Sequence, residues 1–260
     1  MEISHEVPKS ILEQSKSFND YQYALVHLLE KDEDYKNHFL KCKEEGIPIY
    51  LDNSLHELGT AIGGEILMKW INILEPKYAF IPDVWEDFDK TLRNAKTWIQ
   101  YTYPEGTTPV AVVQATSLHE ANICYRLLKD LGYKKIAFSY GASYYKEFYP
   151  NLNVNYAKAL GRLHVISKLY ELNTISKNDN IHLLGCASPI EFLFQKEFPF
   201  IKSIDTSNPI MAALDGVKYS ELLNHNKPTA NMNSHFDFKV KSEDLMLIDY
   251  NVKKFKNLFL

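Results

Sequence analysis

Residues 109–141, PVAVVQATSLHEANICYRLLKDLGYKKIAFSYG, contain one complete strand-helix-strand unit. The apolar runs at 109–115 and 135–141 are continuous, as is typical of strands that are buried on both faces. Ser117 begins an S-x-x-E capping box, and Gly132 is a residue that commonly ends a helix. The stretch therefore predicts two parallel strands joined by a helix.

The same alternation continues along the chain in both directions. Further strand-like runs occupy residues 2–7, 23–29, 47–53, 78–84, 181–187 and 201–205. Helical patterns lie between them, such as the stripe formed by Phe88, Leu92, Ala95 and Ile99. Eight strands that alternate with helices favour an α/β fold of the (β/α)₈ TIM-barrel type over an open sheet.

The boundaries of this pattern predict the domain organisation. Residues 1–216 form the predicted catalytic barrel. Residues 217–260 are polar and rich in Lys and Asn, and we expect a C-terminal extension that packs on the barrel as a helix and a hairpin.

Composition limits the class of protein. The 260 residues carry a formal net charge of −4, so a nucleic acid would have to bind to a local basic patch. Cys42, Cys124 and Cys186 are far apart in sequence, which argues against a disulfide framework and against a cysteine-based zinc site. The sequence has no signal-peptide pattern and no apolar run long enough for a membrane span, so we expect a cytoplasmic protein without a membrane partner. These features predict no particular oligomeric state.

The candidate functional residues lie at the ends of the predicted strands. In a barrel of this type, the carboxyl ends of the strands surround the active site. The polar and glycine residues at these ends are Asp52, Asn53, Asp83, Gln114, Gly141, Gly185 and Asp205. No His pair, Cys cluster or glycine-rich phosphate loop accompanies them, so we predict no metal and no cofactor.

Some of these side chains have a simpler structural interpretation. Asp83 either caps the helix that begins near Trp85 or has a function, and Gln114 either binds backbone or contacts a ligand. His56 and His119 lie inside S-x-x-E boxes and are expected to be surface or packing residues.

Asp52 and Asp205 remain after helix caps have been assigned. Ser54 begins an S-x-x-E box beside Asp52, and Ser207 or Asn208 can cap the helix after Asp205. Two spare carboxylates suit chemistry at a glycosidic carbon, where one attacks and the other transfers a proton.

These strand ends resemble those of the tRNA-guanine transglycosylase superfamily, in particular its phage branch, the 7-deazaguanine DNA transglycosylases. The stretch IHLLGCASPIEFLFQKEFPFIKSID (181–205) is similar to the family's glycine-containing segment and the aspartate that ends its last barrel strand. YLDNSLHELG (50–59) resembles the phage branch's Asp-Asn and Glu-Leu-Gly pattern. The segments FIPDV and VVQA match the family's base-binding strand ends, and FSYGA matches loosely.

The resemblance implies a role for each matching residue. Asp205 would be the covalent nucleophile and Asp52 the second catalytic carboxylate. The resemblance places five residues in the substrate pocket: Asp83, Gln114, Asn53, Gly141 and Gly185. The implied enzyme is a glycosyltransferase of the pentosyltransferase type, which exchanges guanine in DNA for a free 7-deazaguanine base such as preQ0. A phage-encoded enzyme would act in the host cytoplasm.

Two departures from the family bear on the substrate. Asn53 and Ser54 replace the glycines that follow the family's strand-three aspartate, and the zinc-binding Cys and His residues after the last strand are missing. The zinc subdomain helps to bind tRNA in the family, so its loss favours DNA. A tRNA-modifying enzyme, a non-catalytic nucleic-acid-binding homologue and an unrelated barrel that acts on a small sugar or nucleoside remain alternatives.

Basic residues are the candidates for contact with nucleic acid. They are Arg162 in the helical stretch at 155–169, together with Lys158, and Lys253, Lys254 and Lys256 near the C-terminus. For any one of these residues, the alternative is a solvated surface position.

Overall fold

A computed structural model of the chain describes residues 1–195, 197–220 and 227–259. It contains an eight-stranded parallel sheet that curls into a nearly closed barrel. The strands are β1 (Glu2–His5), β2 (Gln22–Leu25), β3 (Ile49–Asp52), β4 (Tyr78–Phe80), β5 (Thr108–Val113), β6 (Lys135–Ser139), β7 (Ile181–Leu184) and β8 (Ile201–Thr206). The prediction of a (β/α)₈ barrel is therefore confirmed.

The helices surround this sheet. The first seven are α1 (Leu12–Ser15), α2 (Val26–Lys31), α3 (Glu33–Glu44), α4 (Leu55–Leu58), α5 (Gly64–Leu74), α6 (Phe88–Trp98) and α7 (Leu118–Asp130). They are followed by α8 (Tyr145–Phe148), α9 (Val154–Glu171), α10 (Phe192–Gln195), α11 (Asn208–Leu214), α12 (Met232–His235) and α13 (Ser242–Lys256). Short 3₁₀ turns occupy Lys9–Ile11, Pro189–Glu191 and Asn257–Phe259.

Side chains complete the barrel between its first two strands. The ladder runs from β1 through β8 to β2, and β1 and β2 are not paired as strands. The backbone N–H of Ile3 donates to the Asp20 carboxylate at 2.7 Å, and Asp20 N–H donates to Ile3 O at 2.9 Å. Asn19 also exchanges two hydrogen bonds with the backbone of His5. These two residues take the place of the eighth ladder that would close the barrel, so the polar backbone groups of Ile3 and His5 in β1 are satisfied.

The second predicted strand ends earlier than the sequence suggests. Residues 23–29 were expected to be extended, but β2 ends at Leu25 and Val26 begins a helix. A short apolar run does not distinguish a buried strand from a buried helix, which explains the error.

Aromatic residues fill the interior of the barrel. Tyr21 and Tyr50 stack with their ring centres 3.7 Å apart, and Phe80 belongs to the same buried cluster. A larger apolar cluster lies between the sheet and the outer helices. The filled interior leaves the carboxyl ends of the strands as the place for an open cavity.

The region after α11 packs against the barrel. Asn251 in α13 is fully buried, accepts a hydrogen bond from Tyr219 N–H at 2.8 Å and donates to Val217 O at 2.9 Å. Phe255 in the same helix contacts the ring of His5. Within 217–220 and 227–259 the regular elements are helical, so the expected hairpin is not present there. Residues 221–226 and 260 of the predicted extension lie outside the described residues.

Candidate active site

A cavity of about 440 Å³ opens at the carboxyl ends of the strands. It brings together six of the predicted site residues: Asp52, Asn53, Asp83, Gln114, Gly185 and Asp205. These residues are contributed by the ends of β3, β4, β5, β7 and β8 and by the segments that follow them, so the barrel topology alone explains their convergence.

Asp205 lies on the floor of this cavity. Its Oδ1 is 2.9 Å from Nε2 of His182, and its Oδ2 accepts a hydrogen bond from Gly185 N–H at 3.3 Å. Burial raises the pKa of the Asp205 carboxyl above its usual range, and the Gly185 hydrogen bond opposes this shift. The carboxylate is therefore held in a fixed position with two donors on it.

His182 fixes the orientation of Asp205 from inside the barrel. The imidazole is fully buried, and its Nδ1 is 2.8 Å from the hydroxyl of Ser203. Burial lowers the pKa of His182 well below its usual value, so the ring is neutral. The neutral ring donates a hydrogen bond from Nε2–H to Asp205 and accepts one from the Ser203 hydroxyl at Nδ1, so both nitrogens have a partner.

Asp52 is the second carboxylate of the cavity. Tyr23 donates its phenolic hydrogen to Oδ1 at 3.0 Å, and Ser54 N–H donates to Oδ2 at 2.7 Å. Burial raises the pKa of Asp52, and the nearby charge of Asp205 raises it further. Because each carboxylate disfavours ionisation of the other, the pair can hold a proton near neutral pH.

The segment after β3 starts its helix differently from the prediction. Ser54 has a left-handed backbone (φ 61°) and makes no capping hydrogen bond, because its hydroxyl binds Nδ1 of His27 at 2.8 Å. Asn53 Oδ1 instead accepts from Leu55 N–H at 2.9 Å. The capping box at Ser54 is therefore wrong, and Glu57 is released from it to line the cavity.

Asp83, Gln114 and Asn53 form one buried hydrogen-bond network. Gln114 Nε2 donates to one Asp83 oxygen at 2.6 Å, and Asn53 Nδ2 donates to the other at 2.8 Å. Burial raises the pKa of Asp83, and the two amide donors oppose this shift. The residue that caps the N-terminus of α6 is Asp87, whose side chain accepts a hydrogen bond from Lys90 N–H at 2.9 Å. The interpretation of Asp83 as a helix cap is therefore wrong.

The two predicted glycines allow aromatic rings to approach the backbone. A Cβ at Gly185, where φ is 65°, would lie 2.5 Å from the ring of Tyr140. A Cβ at Gly141 would lie 2.3 Å from the ring of Trp85. Trp85 and Tyr140 both line the cavity, whereas Gly141 lies behind Trp85 and supports it. Aromatic faces of this kind are suited to stacking on a planar base.

Two further carboxyl groups reach the cavity. Burial and the charge of Asp52 raise the pKa of Glu57 to about 8, and its Oε2 has no hydrogen-bond partner among the described residues. Burial and the charge of Asp205 raise the pKa of Glu6 well above its usual range. Glu6 follows β1, so its position at a strand end could have predicted it as a site residue. Glu57 could not be predicted in this way, because the S-x-x-E pattern assigned it to a helix cap.

Arg162 does not reach the surface. Its side chain is fully buried, Nε and Nη2 bind the two oxygens of Glu191 at 2.6 and 2.9 Å, and its remaining hydrogens go to backbone carbonyls. The predicted contact of Arg162 with nucleic acid is therefore wrong. The sequence Ser188-Pro-Ile-Glu191 also fits the S-x-x-E pattern of a capping box, but Ser188 makes no capping hydrogen bond and Glu191 is the partner of Arg162.

The C-terminal lysines lie in the last turn of α13. Lys256 pairs with Asp20 at 3.1 Å, and Asp20 lies just before β2, at the barrel end opposite the cavity. Lys253 pairs with Asp249 at 2.6 Å, and Lys254 lies beside the ring of Tyr250. The structure thus places the three lysines away from the cavity, and their contact with nucleic acid stays a prediction.

Cys42, Cys124 and Cys186 are buried free thiols. Among residues 1–195, 197–220 and 227–259, no group of three or more His, Cys, Asp or Glu side chains is arranged to hold a metal ion. Over the same ranges, no helix is both long and apolar enough to cross a membrane.

Comparison with protein-family models finds no match, and comparison with curated protein sequences finds none either.

Proposed function

We propose that the protein is a DNA guanine transglycosylase, a pentosyltransferase that exchanges guanine in DNA for a free 7-deazaguanine base such as preQ0. The observation that carries the proposal is the pairing of two functions in one cavity. Asp52 and Asp205 supply two carboxyls of raised pKa, and the Asp83–Gln114–Asn53 network supplies directional hydrogen-bonding groups beside them.

The first half of the proposed reaction removes guanine. A carboxylate oxygen of Asp205 forms a bond to C1′ of the deoxyribose while the bond from C1′ to N9 of guanine breaks. The bonding electron pair leaves with guanine, and the carboxyl group of Asp52 donates a proton to the departing base. The His182 and Gly185 donors hold the Asp205 oxygens in place for the attack.

The second half installs the new base. Asp52, now a carboxylate, accepts the proton from N9 of the 7-deazaguanine. N9 then forms a bond to C1′ and the bond to Asp205 breaks. Two displacements at the same carbon retain its configuration, as in retaining glycosidases with a base in place of water. Electrons and protons balance without an oxidant or a reductant.

Base selection is assigned to the buried network. Each oxygen of Asp83 keeps a lone pair for a ligand, and Gln114 keeps one amide hydrogen beyond those used within the protein. The amidine edge of guanine offers donors that match a carboxylate. The aromatic rings of Trp85 and Tyr140 line the same cavity and provide faces for the flipped base.

The test is nucleoside mass spectrometry after incubation with preQ0. Duplex and single-stranded DNA are incubated in parallel with tRNA, with Asp205→Asn as the inactive control. The proposal predicts a 7-deazaguanine deoxynucleoside from DNA with the wild type and none with the variant. Product from tRNA alone would replace DNA by tRNA as the substrate. Binding without product from either would favour the non-catalytic homologue, and activity on free nucleosides alone would favour an unrelated barrel enzyme.

A further inference from the structure

Two lysines share one aromatic ring at the mouth of the cavity. Lys158 in α9 and Lys227 each place Nζ 5.5 Å from the centre of the Tyr140 ring. Lys227 also lines the cavity itself. The first lysine comes from a barrel helix and the second from the C-terminal extension, so only the fold brings them together.

The charges of these lysines are not neutralised by ion pairs within the described part of the chain. Lys168, in the same helix as Lys158, does pair with Glu171 at 2.7 Å. Partial burial and the charge of Lys227 lower the pKa of Lys158, and the charge of Glu86 opposes this shift. Two ammonium groups held together in this way repel each other, and a bound anion would relieve the repulsion.

Tyr140 connects the lysines to the floor of the site. Its ring occupies the space above Gly185, where a Cβ would lie 2.5 Å from it. Gly185 N–H donates to the Asp205 carboxylate. Tyr140 therefore contacts both the two ammonium groups and Gly185, whose N–H holds the proposed nucleophile.

We propose that Lys158 and Lys227 bind a backbone phosphodiester next to the nucleotide whose sugar contacts Asp205. This inference rests on the proposed function, because it assumes a polynucleotide substrate. Lysine binds phosphate as a compact point charge, so the pair supplies affinity and position without reading sequence. The pair takes the place that the sequence assigned to Arg162, which is fully buried.

The experiment measures affinity for a guanine-containing DNA oligonucleotide, and for the same sequence as RNA, against salt concentration. The test protein is the Lys158→Gln/Lys227→Gln double variant. The matched control is Lys96→Gln/Lys134→Gln, which removes two exposed lysines from the opposite end of the barrel. Each phosphate contact contributes about 0.7 to the salt slope for a single strand. Because the two lysines share one phosphodiester, we expect the slope to fall by about 0.7 in the test variant and to stay unchanged in the control.

The outcomes separate this inference from the proposed function. An unchanged slope in the test variant, or an equal fall in the control, would overturn the phosphate site even if base exchange occurs. A wild type that binds neither oligonucleotide would overturn it as well. If the slope falls as expected while no base is exchanged, the phosphate site stands and the proposed reaction fails.

Discussion

Asp83→Asn tests the buried network, because the substitution changes one acceptor into a donor with almost no change of shape. Asp83 accepts from Gln114 at one oxygen and from Asn53 at the other. An asparagine offers only one acceptor, so an N–H group must face another N–H group on one side. The mismatch leaves a buried donor without a partner, which costs about 1–3 kcal/mol.

Neither neighbouring amide can rotate to remove this mismatch. Gln114 Oε1 already accepts from Glu86 N–H at 3.0 Å, so a flipped amide would place a donor against a donor there. Asn53 is held in the same way, because Nδ2 donates to Ile81 O at 2.7 Å and Oδ1 accepts from Leu55 N–H at 2.9 Å. The direction of every hydrogen bond in the network is thus fixed by backbone groups.

The assay is urea unfolding at about pH 8, with a designed rescue. Asp83→Asn should lower the free energy of unfolding by about 1–3 kcal/mol. Adding Gln114→Glu supplies a carboxylate that accepts from both the new amide and Glu86 N–H, and most of the loss should be recovered. A single variant within about 0.5 kcal/mol of wild type, the range usual for surface substitutions, would refute the reasoning. A double variant that is less stable than the single would refute it equally.

Two further predictions concern buried charge. Arg162→Met leaves Glu191 buried without its cation, so the free energy of unfolding, measured in urea, should fall by about 3–5 kcal/mol. The double variant Arg162→Met/Glu191→Leu should lose less stability than the sum of the losses in the two single variants. Losses that simply add would contradict the pairing of the two residues. Glu57→Gln should become stabilising relative to wild type as pH rises. The native pKa of Glu57, about 8, lies above the unfolded value of 4.5. Between these two pH values the native protein holds a proton that the unfolded chain has released, so the wild type loses stability as pH rises through this range. Unfolding curves near pH 5 and pH 9 should show the variant gaining on the wild type, and a constant difference would contradict the shift.

The barrel could be predicted from the sequence because each strand is a nearly continuous apolar run bounded by turn and helix-cap residues. The site was readable as far as it depends on topology, since strand ends in a barrel must converge and Asp52, Asp83, Gln114 and Asp205 all do. Capping motifs gave wrong predictions where a residue distant in sequence binds the side chain that the motif assigns to the helix end. Glu191 pairs with a residue from another helix instead of completing a cap.

The sequence does not predict how side chains are oriented inside the barrel. His182 lies in the middle of β7, and only its position beside β8 directs it to the Asp205 carboxylate. A charged residue in an amphipathic helix, such as Arg162, is usually at the surface. Its burial depends on a carboxylate that lies 29 residues further along the chain.

The proposed reaction requires Asp205 to become covalently attached to a sugar. The most direct measurement is intact-protein mass spectrometry after incubation with a short guanine-containing DNA oligonucleotide, followed by denaturing quenching. The proposed reaction predicts a species with the mass of the protein plus the oligonucleotide less one guanine, with the adduct on the peptide that contains Asp205. It predicts no such species for Asp205→Asn and predicts that adding preQ0 removes it from the wild type. Base exchange that proceeds without this adduct, or an adduct on any other residue, would contradict the account.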